Sequence, residues 1–140
     1  MRFIQEQVNE LNSKITTTNE ALQWVSENLH PHVAKASSFG AEDAVIMDIM
    51  LKINPKFRFF TLDTGRLPQE TYDIMDTVRK KYNITIEVLF PNTKEVEDMV
   101  REKGMNLFYD SVENRKLCCE IRKVHPINRM LSTLDGWITG

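Results

Sequence analysis

Apolar residues recur every three or four positions in the first part of the chain and predict two amphipathic helices. The first helix carries Ile4, Val8, Leu11 and Ile15, and the second carries Leu22, Val25 and Leu29. A threonine run at 16–18 can cap the second helix, and Pro31 ends it. We therefore expect residues 1–30 to form an N-terminal helical segment.

From residue 31 the pattern alternates between strand-like and helix-like segments. Strands are predicted at 32–37, 57–62, 84–90 and 136–139. Helices are predicted at 41–53, from Pro68 to about residue 82, through about Lys103 with Thr93 as its cap, and at 117–132 with a bend at Pro126. This order is typical of an α/β fold: a parallel, Rossmann-like sheet with flanking helices. Residues 31–140 would form the α/β core of a single domain. In such sheets ligands bind beyond the carboxyl ends of the strands.

Composition narrows the functional classes. The chain has 140 residues, with 18 Lys and Arg against 20 Asp and Glu, so no bulk charge favours nucleic acid or an acidic membrane as a partner. We find no apolar run long enough to cross a membrane and no signal-peptide pattern, and we expect a cytoplasmic protein.

The segment SSFGAED at 37–43 connects a predicted strand to a predicted helix. Its small residues and Gly40 let the backbone approach a ligand, and a helix N-terminus favours an anion such as phosphate or sulfate. The alternative is an ordinary turn in which Ser38 caps the helix and Glu42 and Asp43 complement its dipole.

The segment LDTGRL at 62–67 follows the second predicted strand. Asp63, Thr64 and Gly65 favour a tight turn, and Arg66 could bind phosphate or sulfate through two hydrogen bonds. The alternative is a turn with a solvated arginine.

The segment KLCCEIRKVHP at 116–126 contains both cysteines of the chain, Cys118 and Cys119. We expect them near a helix N-terminus, which favours the thiolate, with Arg122 and Lys123 four residues further along on the same faces. Thiolates beside cations suit an iron–sulfur cluster, although a four-iron cluster normally takes four cysteines. The alternative is two half-buried cysteines beside surface charges. We interpret His30, His32 and His125 as structural or surface residues.

Together the motifs SFGAED at 38–43, LDTGRLPQETY at 62–72, CCEIRKV at 118–124 and WITG at 137–140 resemble the adenylyl-sulfate and phosphoadenylyl-sulfate reductase family. The resemblance implies an adenine nucleotide alpha-hydrolase-like fold and reduction of adenylyl sulfate to sulfite and AMP in sulfate assimilation. It also implies thioredoxin or glutaredoxin as the electron donor and a [4Fe–4S] cluster, which members with the cysteine pair carry.

The resemblance also implies roles for individual residues. The metal ligands would be Cys118 and Cys119, two of the four that the cluster needs. The substrate-binding residues would be Ser38, Phe39, Gly40, Leu62, Thr64, Gly65, Arg66, Arg122, Lys123 and Gly140. The family's second cysteine pair and its nucleophilic cysteine have no counterpart in the 140 residues, so we expect a front part of the enzyme, incomplete at its C-terminus and inactive alone. An exposed edge strand could lead to homo-oligomers.

Three alternatives stay open. The substrate could be the 3′-phosphorylated form, phosphoadenylyl sulfate. The chain could be an ATP-using enzyme of the same superfamily, but those enzymes usually show SGGxDS where this chain has SFGAED. It could also be a non-catalytic module that binds adenine nucleotides.

Overall fold

A computed structural model describes residues 3–140 of the chain. The helices are α1 (Gln5–Lys14), α2 (Thr18–Asn28), α3 (Ala41–Ile53), α4 (Gln69–Tyr82), α5 (Thr93–Lys103), α6 (Val112–Cys119) and α7 (His125–Leu131). The strands are β1 (Val33–Ala36), β2 (Arg58–Leu62), β3 (Ile86–Leu89) and β4 (Gly136–Ile138). A 3₁₀ turn spans Leu107–Tyr109, and a π-helical segment, Glu120–Val124, joins α6 to α7.

The strands form one parallel sheet in the order β3-β2-β1-β4, which confirms the predicted α/β fold. In the β1–β4 pair Val33 lies opposite Gly136 and Lys35 opposite Ile138. The chain adds β2 and β3 on one side of β1 and then returns to add β4 on the other. The strand order therefore reverses between β1 and β4, and this is the position where ligands bind in open α/β sheets.

Residues 3–59 and 133–140 make one compact unit. Its core is apolar, with Ala34, Met50 and Phe59 fully buried. The α2 helix begins as predicted, because the Thr17 hydroxyl accepts the Glu20 backbone N–H. The helix predicted at 41–53 is α3, residue for residue, but its N-cap is Gly40 and not Ser38.

Residues 60–132 make the other compact unit. A small apolar cluster is formed by Met99 of α5, Cys118 of α6, and Leu107 and Ile121. The predicted division of the chain at residue 30 stays a prediction.

The helices of the second unit differ from the prediction in three respects. The cap of α5 is Asn92, whose side chain accepts the Glu95 N–H at 3.1 Å, and not Thr93. The last predicted helix begins at Val112, five residues early, and its predicted bend is the π-helical segment before Pro126. Cys118 and Cys119 therefore stand at the C-terminal end of α6. The expectation that a helix N-terminus favours their thiolates was wrong.

Candidate functional site

The loop Ser37–Gly40 leaves the carboxyl end of β1 and leads into α3, at the point where the strand order reverses. Its centre is Phe39, buried and left-handed with φ 64°, a conformation that a bulky residue rarely adopts. The Phe39 N–H donates to Ser37 Oγ at 3.1 Å, which holds the turn. The loop is thus a defined structure and is placed where this fold class binds ligands.

A buried ion pair lies directly behind this loop. Lys35, on β1, is fully buried and donates to Asp43 in the first turn of α3 and to the Ala36 carbonyl. Asp43 Oδ2 also accepts the Ser38 N–H at 2.7 Å and the Ser38 hydroxyl at 3.0 Å. Burial alone would raise the pKa of Asp43, but the bonds from Lys35 and Ser38 outweigh it and lower that pKa. Asp43 is therefore a carboxylate at neutral pH.

Gly140 follows β4 and approaches the same carboxylate. A Cβ placed on Gly140 would lie 2.7 Å from Asp43 Oδ1. Because Asp43 is fixed by Lys35 and Ser38, this position requires glycine in the observed geometry. A Cβ on Gly40 would meet the Glu42 carboxylate at 2.8 Å, but that exposed side chain can rotate away.

In the second unit the turn after β2 is built on Asp63. Its carboxylate accepts the Gly65 N–H at 2.8 Å and the Tyr72 hydroxyl at 2.9 Å. The hydrogen bond to Asp63 raises the pKa of Tyr72 above its ordinary value. Gly65 takes a φ of 73°, which glycine adopts without strain. The predicted tight turn is confirmed in this geometry.

Arg122, buried and on the π-helical segment, fixes the same turn. Its guanidinium donates to the Thr64 carbonyl at 2.6 Å. Its Nε has no hydrogen-bond partner among the described residues. The position equivalent to a Cβ on Gly65 is 3.1 Å from the guanidinium, so a side chain there would press on Arg122.

Arg66 is exposed and turned towards the 3₁₀ turn region. Its guanidinium donates to the Met105 carbonyl at 3.2 Å and to Asn106 Oδ1 at 3.1 Å, and it lies over the Phe108 ring at 4.7 Å from the ring centroid. These contacts fix the orientation of the planar group and use a donor on each of its two terminal nitrogens.

The two cysteines of the chain are adjacent, at the C-terminal end of α6. Both are free thiols, Cys118 buried beside Ile121 and Cys119 exposed. Burial follows the same alternation further along the segment, with Arg122 buried and Lys123 exposed. Residues 3–140 contain no group of three or more metal-binding side chains. Since a four-iron cluster needs four thiolates, these residues do not hold one by themselves.

Sequence reasoning missed Lys35 and gave Asp43 only a helix-dipole role. A lysine in VAKA looks like a solvent-facing residue, yet strands of a parallel sheet are covered on both faces. That rule, together with an acidic residue in the first turn of the next helix, is the signal that could have found the pair. Tyr72 was likewise given no role of its own, although it ends the motif at 62–72.

The remaining predicted residues occupy varied positions. Leu62 ends β2 and is half-buried. His125 lies between two carboxylates, 3.0 Å from Glu95 and 3.6 Å from Glu120. His30 is 2.9 Å from the Lys56 carbonyl.

No described helix is long and apolar enough to cross a membrane.

The fold is that of an α/β protein with a parallel four-stranded sheet, and the loop Ser37–Gly40 at the reversal of strand order is its candidate ligand site. A family model described as the phosphoadenosine phosphosulfate reductase domain matches residues 32–140, and the chain belongs to this family.

The chain is 41% identical over 131 residues to the adenosine 5'-phosphosulfate reductase of Burkholderia cepacia, covering 94% of this chain and 52% of that protein. It is 42% identical over 105 residues to the Allochromatium vinosum protein of the same name, covering 75% of this chain and 41% of that protein. The chain therefore spans about half, or less, of these relatives. A crystal structure of phosphoadenylyl-sulfate (PAPS) reductase from Candida auris, a phosphate complex, superposes with a TM-score of 0.81 at 25% identity, covering 99% of this chain and 68% of that one.

Proposed function

We propose that this chain is the nucleotide-binding part of an adenylyl-sulfate reductase of sulfate assimilation. The observation that carries the proposal is its 41% identity, over nearly all its length, to a protein named adenosine 5'-phosphosulfate reductase. In the proposed reaction sulfate sulfur is reduced to sulfite while the two thiols of thioredoxin or glutaredoxin become a disulfide. AMP is the leaving group.

The predicted substrate-binding residues of the first unit are assigned to the nucleotide. These residues lie at the point where the strand order reverses, which is where open α/β sheets bind ligands. They are Ser38, Phe39, Gly40 and Gly140. The defined turn around Phe39, held by the hydrogen bond to Ser37 Oγ, supports a fixed loop beside which a nucleotide could bind.

The predicted residues of the second unit keep their assignment as part of the same proposal. They are Leu62, Thr64, Gly65, Arg66, Arg122 and Lys123. The guanidinium of Arg66, oriented by its contacts, and the exposed ammonium of Lys123 have the charge that a phosphosulfate group needs.

We further propose that Cys118 and Cys119 provide two of the four thiolates of a [4Fe–4S] cluster. The adjacent thiols and the nearby cations Arg122 and Lys123 support this assignment. The other two thiolates would come from cysteines other than these.

The second candidate is reduction of the 3′-phosphorylated substrate, which the name of the Candida auris structure favours. Thermal-shift titration of the chain with adenylyl sulfate, its 3′-phosphorylated form and AMP separates the two. The proposal expects stabilisation by adenylyl sulfate at lower concentration than by the 3′-phosphorylated form. The reverse order would favour the second candidate.

A further inference from the structure

Asp63 is a buried acidic residue that anchors the turn of residues 63–66, at the carboxyl end of β2. Its backbone N–H donates to the Leu89 carbonyl at the end of β3, at 2.9 Å, so the residue is fixed to the neighbouring strand. One side-chain oxygen, Oδ1, accepts both the Gly65 N–H at 2.8 Å and the Tyr72 hydroxyl at 2.9 Å. Asp63 therefore connects the sheet, the turn and the beginning of α4.

The turn depends on these hydrogen bonds because its centre is a glycine. Gly65 has a left-handed φ of 73° and, without a side chain, can leave that conformation at little steric cost. Its N–H is held by Asp63, while the Arg66 N–H donates to Thr64 Oγ1 at 3.2 Å and Arg122 donates to the Thr64 carbonyl. Loss of the bond at Gly65 would therefore loosen the part of the turn that has no side chain to pack.

Tyr72 holds the acceptor of the Gly65 bond from outside the turn. The Asp63 side chain can rotate about its own single bonds, and the Tyr72 hydroxyl fixes the oxygen that faces Gly65. A hydrogen bond to a carboxylate is among the stronger ones in proteins. The same bond raises the pKa of Tyr72, so the hydroxyl keeps its proton and remains a donor throughout the neutral range. The geometry of the turn consequently depends on a hydroxyl that lies nine residues from Asp63.

We propose that Tyr72 is a positioning residue: through Asp63 it holds the turn in the geometry that the nucleotide substrate meets. The proposal rests on the proposed function, which assigns Thr64, Gly65 and Arg66 to the substrate. Tyr72 itself touches no ligand. It favours binding because it restricts, before the ligand arrives, the conformations that the turn would otherwise lose on binding.

The test compares variants that differ by one hydroxyl or one acceptor. Tyr72→Phe removes the donor and keeps the ring, and Tyr109→Phe is the matched control, since Tyr109 is 79% exposed. Asp63→Ala removes the acceptor, whereas Asp63→Asn keeps a side-chain oxygen that can accept both bonds. Calorimetry on the 140-residue chain measures the dissociation constants for AMP and adenylyl sulfate. Circular dichroism and thermal melting establish that each variant folds.

Tyr72→Phe should raise both dissociation constants by about three- to tenfold, as the loss of one hydrogen bond would. Tyr109→Phe should leave them unchanged, and Asp63→Asn should keep most of the affinity. In an Asp63→Ala background Tyr72→Phe should have little further effect, because the two changes break one chain of contacts. An equal loss from Tyr72→Phe with and without Asp63→Ala, or no loss in a folded Tyr72→Phe variant, would overturn the proposal.

Hydrogen exchange of the Gly65 amide in the ligand-free chain provides a readout that needs no nucleotide. Its rate in Tyr72→Phe should exceed that of the wild type by about threefold or more, while the amide of Met75, further along α4, exchanges at an unchanged rate. Unchanged exchange at Gly65 in the folded variant would also overturn the proposal. If the wild type binds no adenosine nucleotide, the proposed function fails, and exchange at Gly65 still decides whether Tyr72 holds the turn.

Discussion

Arg122 donates a 2.6 Å hydrogen bond to the carbonyl of Thr64, a residue 58 positions earlier in the chain. Both residues are buried, so the bond is shielded from water. It ties the segment that follows the cysteine pair to the turn that follows β2. This hydrogen bond fixes the Arg122 guanidinium against the backbone of the turn.

Replacing Arg122 with Met should lower the free energy of unfolding by about 1–3 kcal/mol, because the buried Thr64 carbonyl would lose its donor. The matched control is Arg129→Met, since Arg129 also donates to a carbonyl, that of Phe90 at 2.8 Å, but is exposed. Urea unfolding measures both. Equal losses in the two variants would show that burial of the Arg122 bond does not matter.

Replacing Asp43 with Asn should strongly lower the free energy of unfolding at neutral pH, because Lys35 would remain as an unpaired buried charge. Losing one partner of a buried pair costs about 3–5 kcal/mol. The control is Asp98→Asn, which breaks the exposed pairs of Asp98 with Lys94 at 2.7 Å and with Arg101 at 2.9 Å and should cost far less, because solvent already screens these charges.

The pH dependence of that loss follows from the lowered pKa of Asp43. A carboxyl whose pKa is lower in the folded state stabilises the fold above its unfolded value, near 3.9, and stops doing so as the pH falls through the folded value. The stability gap between wild type and Asp43→Asn should thus narrow in acid. A gap that stays constant from pH 7 down to about 2 would contradict the ion pair.

Tyr72 should ionise above the ordinary pKa of a tyrosine side chain, since its hydrogen bond to Asp63 raises its pKa. The stabilisation is present below the unfolded pKa of about 10 and is lost as the pH rises through the higher folded value. Ultraviolet titration of wild type and Tyr72→Phe checks this. The variant should lack a step that the wild type shows above the ordinary tyrosine pKa of about 10, and loss of a step at or below that pH would contradict the assignment.

Anaerobic reconstitution with iron and sulfide tests the cysteine pair. With two thiols per chain, we expect less than one four-iron cluster per monomeric chain, and we expect this binding to fall in both Cys118→Ser and Cys119→Ser. Size-exclusion chromatography of the product reports whether two copies share a cluster. One full cluster on each monomer would contradict the ligand count.

The order of elements could be predicted because most segments carry a clear local period. The helix predicted at 41–53 matches α3, since its apolar residues form one broad face and Gly40 and Asn54 bound it. The parallel sheet followed from the alternation of strand and helix.

The last helix shows where local periodicity fails. The first turn of α6, from Val112, is mostly polar and exposed, so its period gave no signal, although Ser111 caps it by accepting the Asn114 N–H at 3.1 Å. Pro126 has no N–H to continue the helical pattern, and the wider turns of Glu120–Val124 precede it. This shift moved the cysteines from the predicted beginning of a helix to the end of one.

The ion pair of Lys35 and Asp43 shows what a sequence pattern does not contain. The two residues are eight positions apart, on different elements, and their contact depends on how α3 returns over β1. The motif SFGAED could therefore be found from the sequence, but the engagement of its donors by Asp43 could not.

We propose above all that this chain binds an adenosine nucleotide as part of an adenylyl-sulfate reductase. The most direct measurement is the dissociation constant of the 140-residue chain for adenylyl sulfate, by calorimetry, compared with that for ATP in the presence of magnesium. The account predicts tighter binding of adenylyl sulfate, by about tenfold or more. Preferential binding of ATP with magnesium, or no binding of adenylyl sulfate by the folded chain, would contradict it.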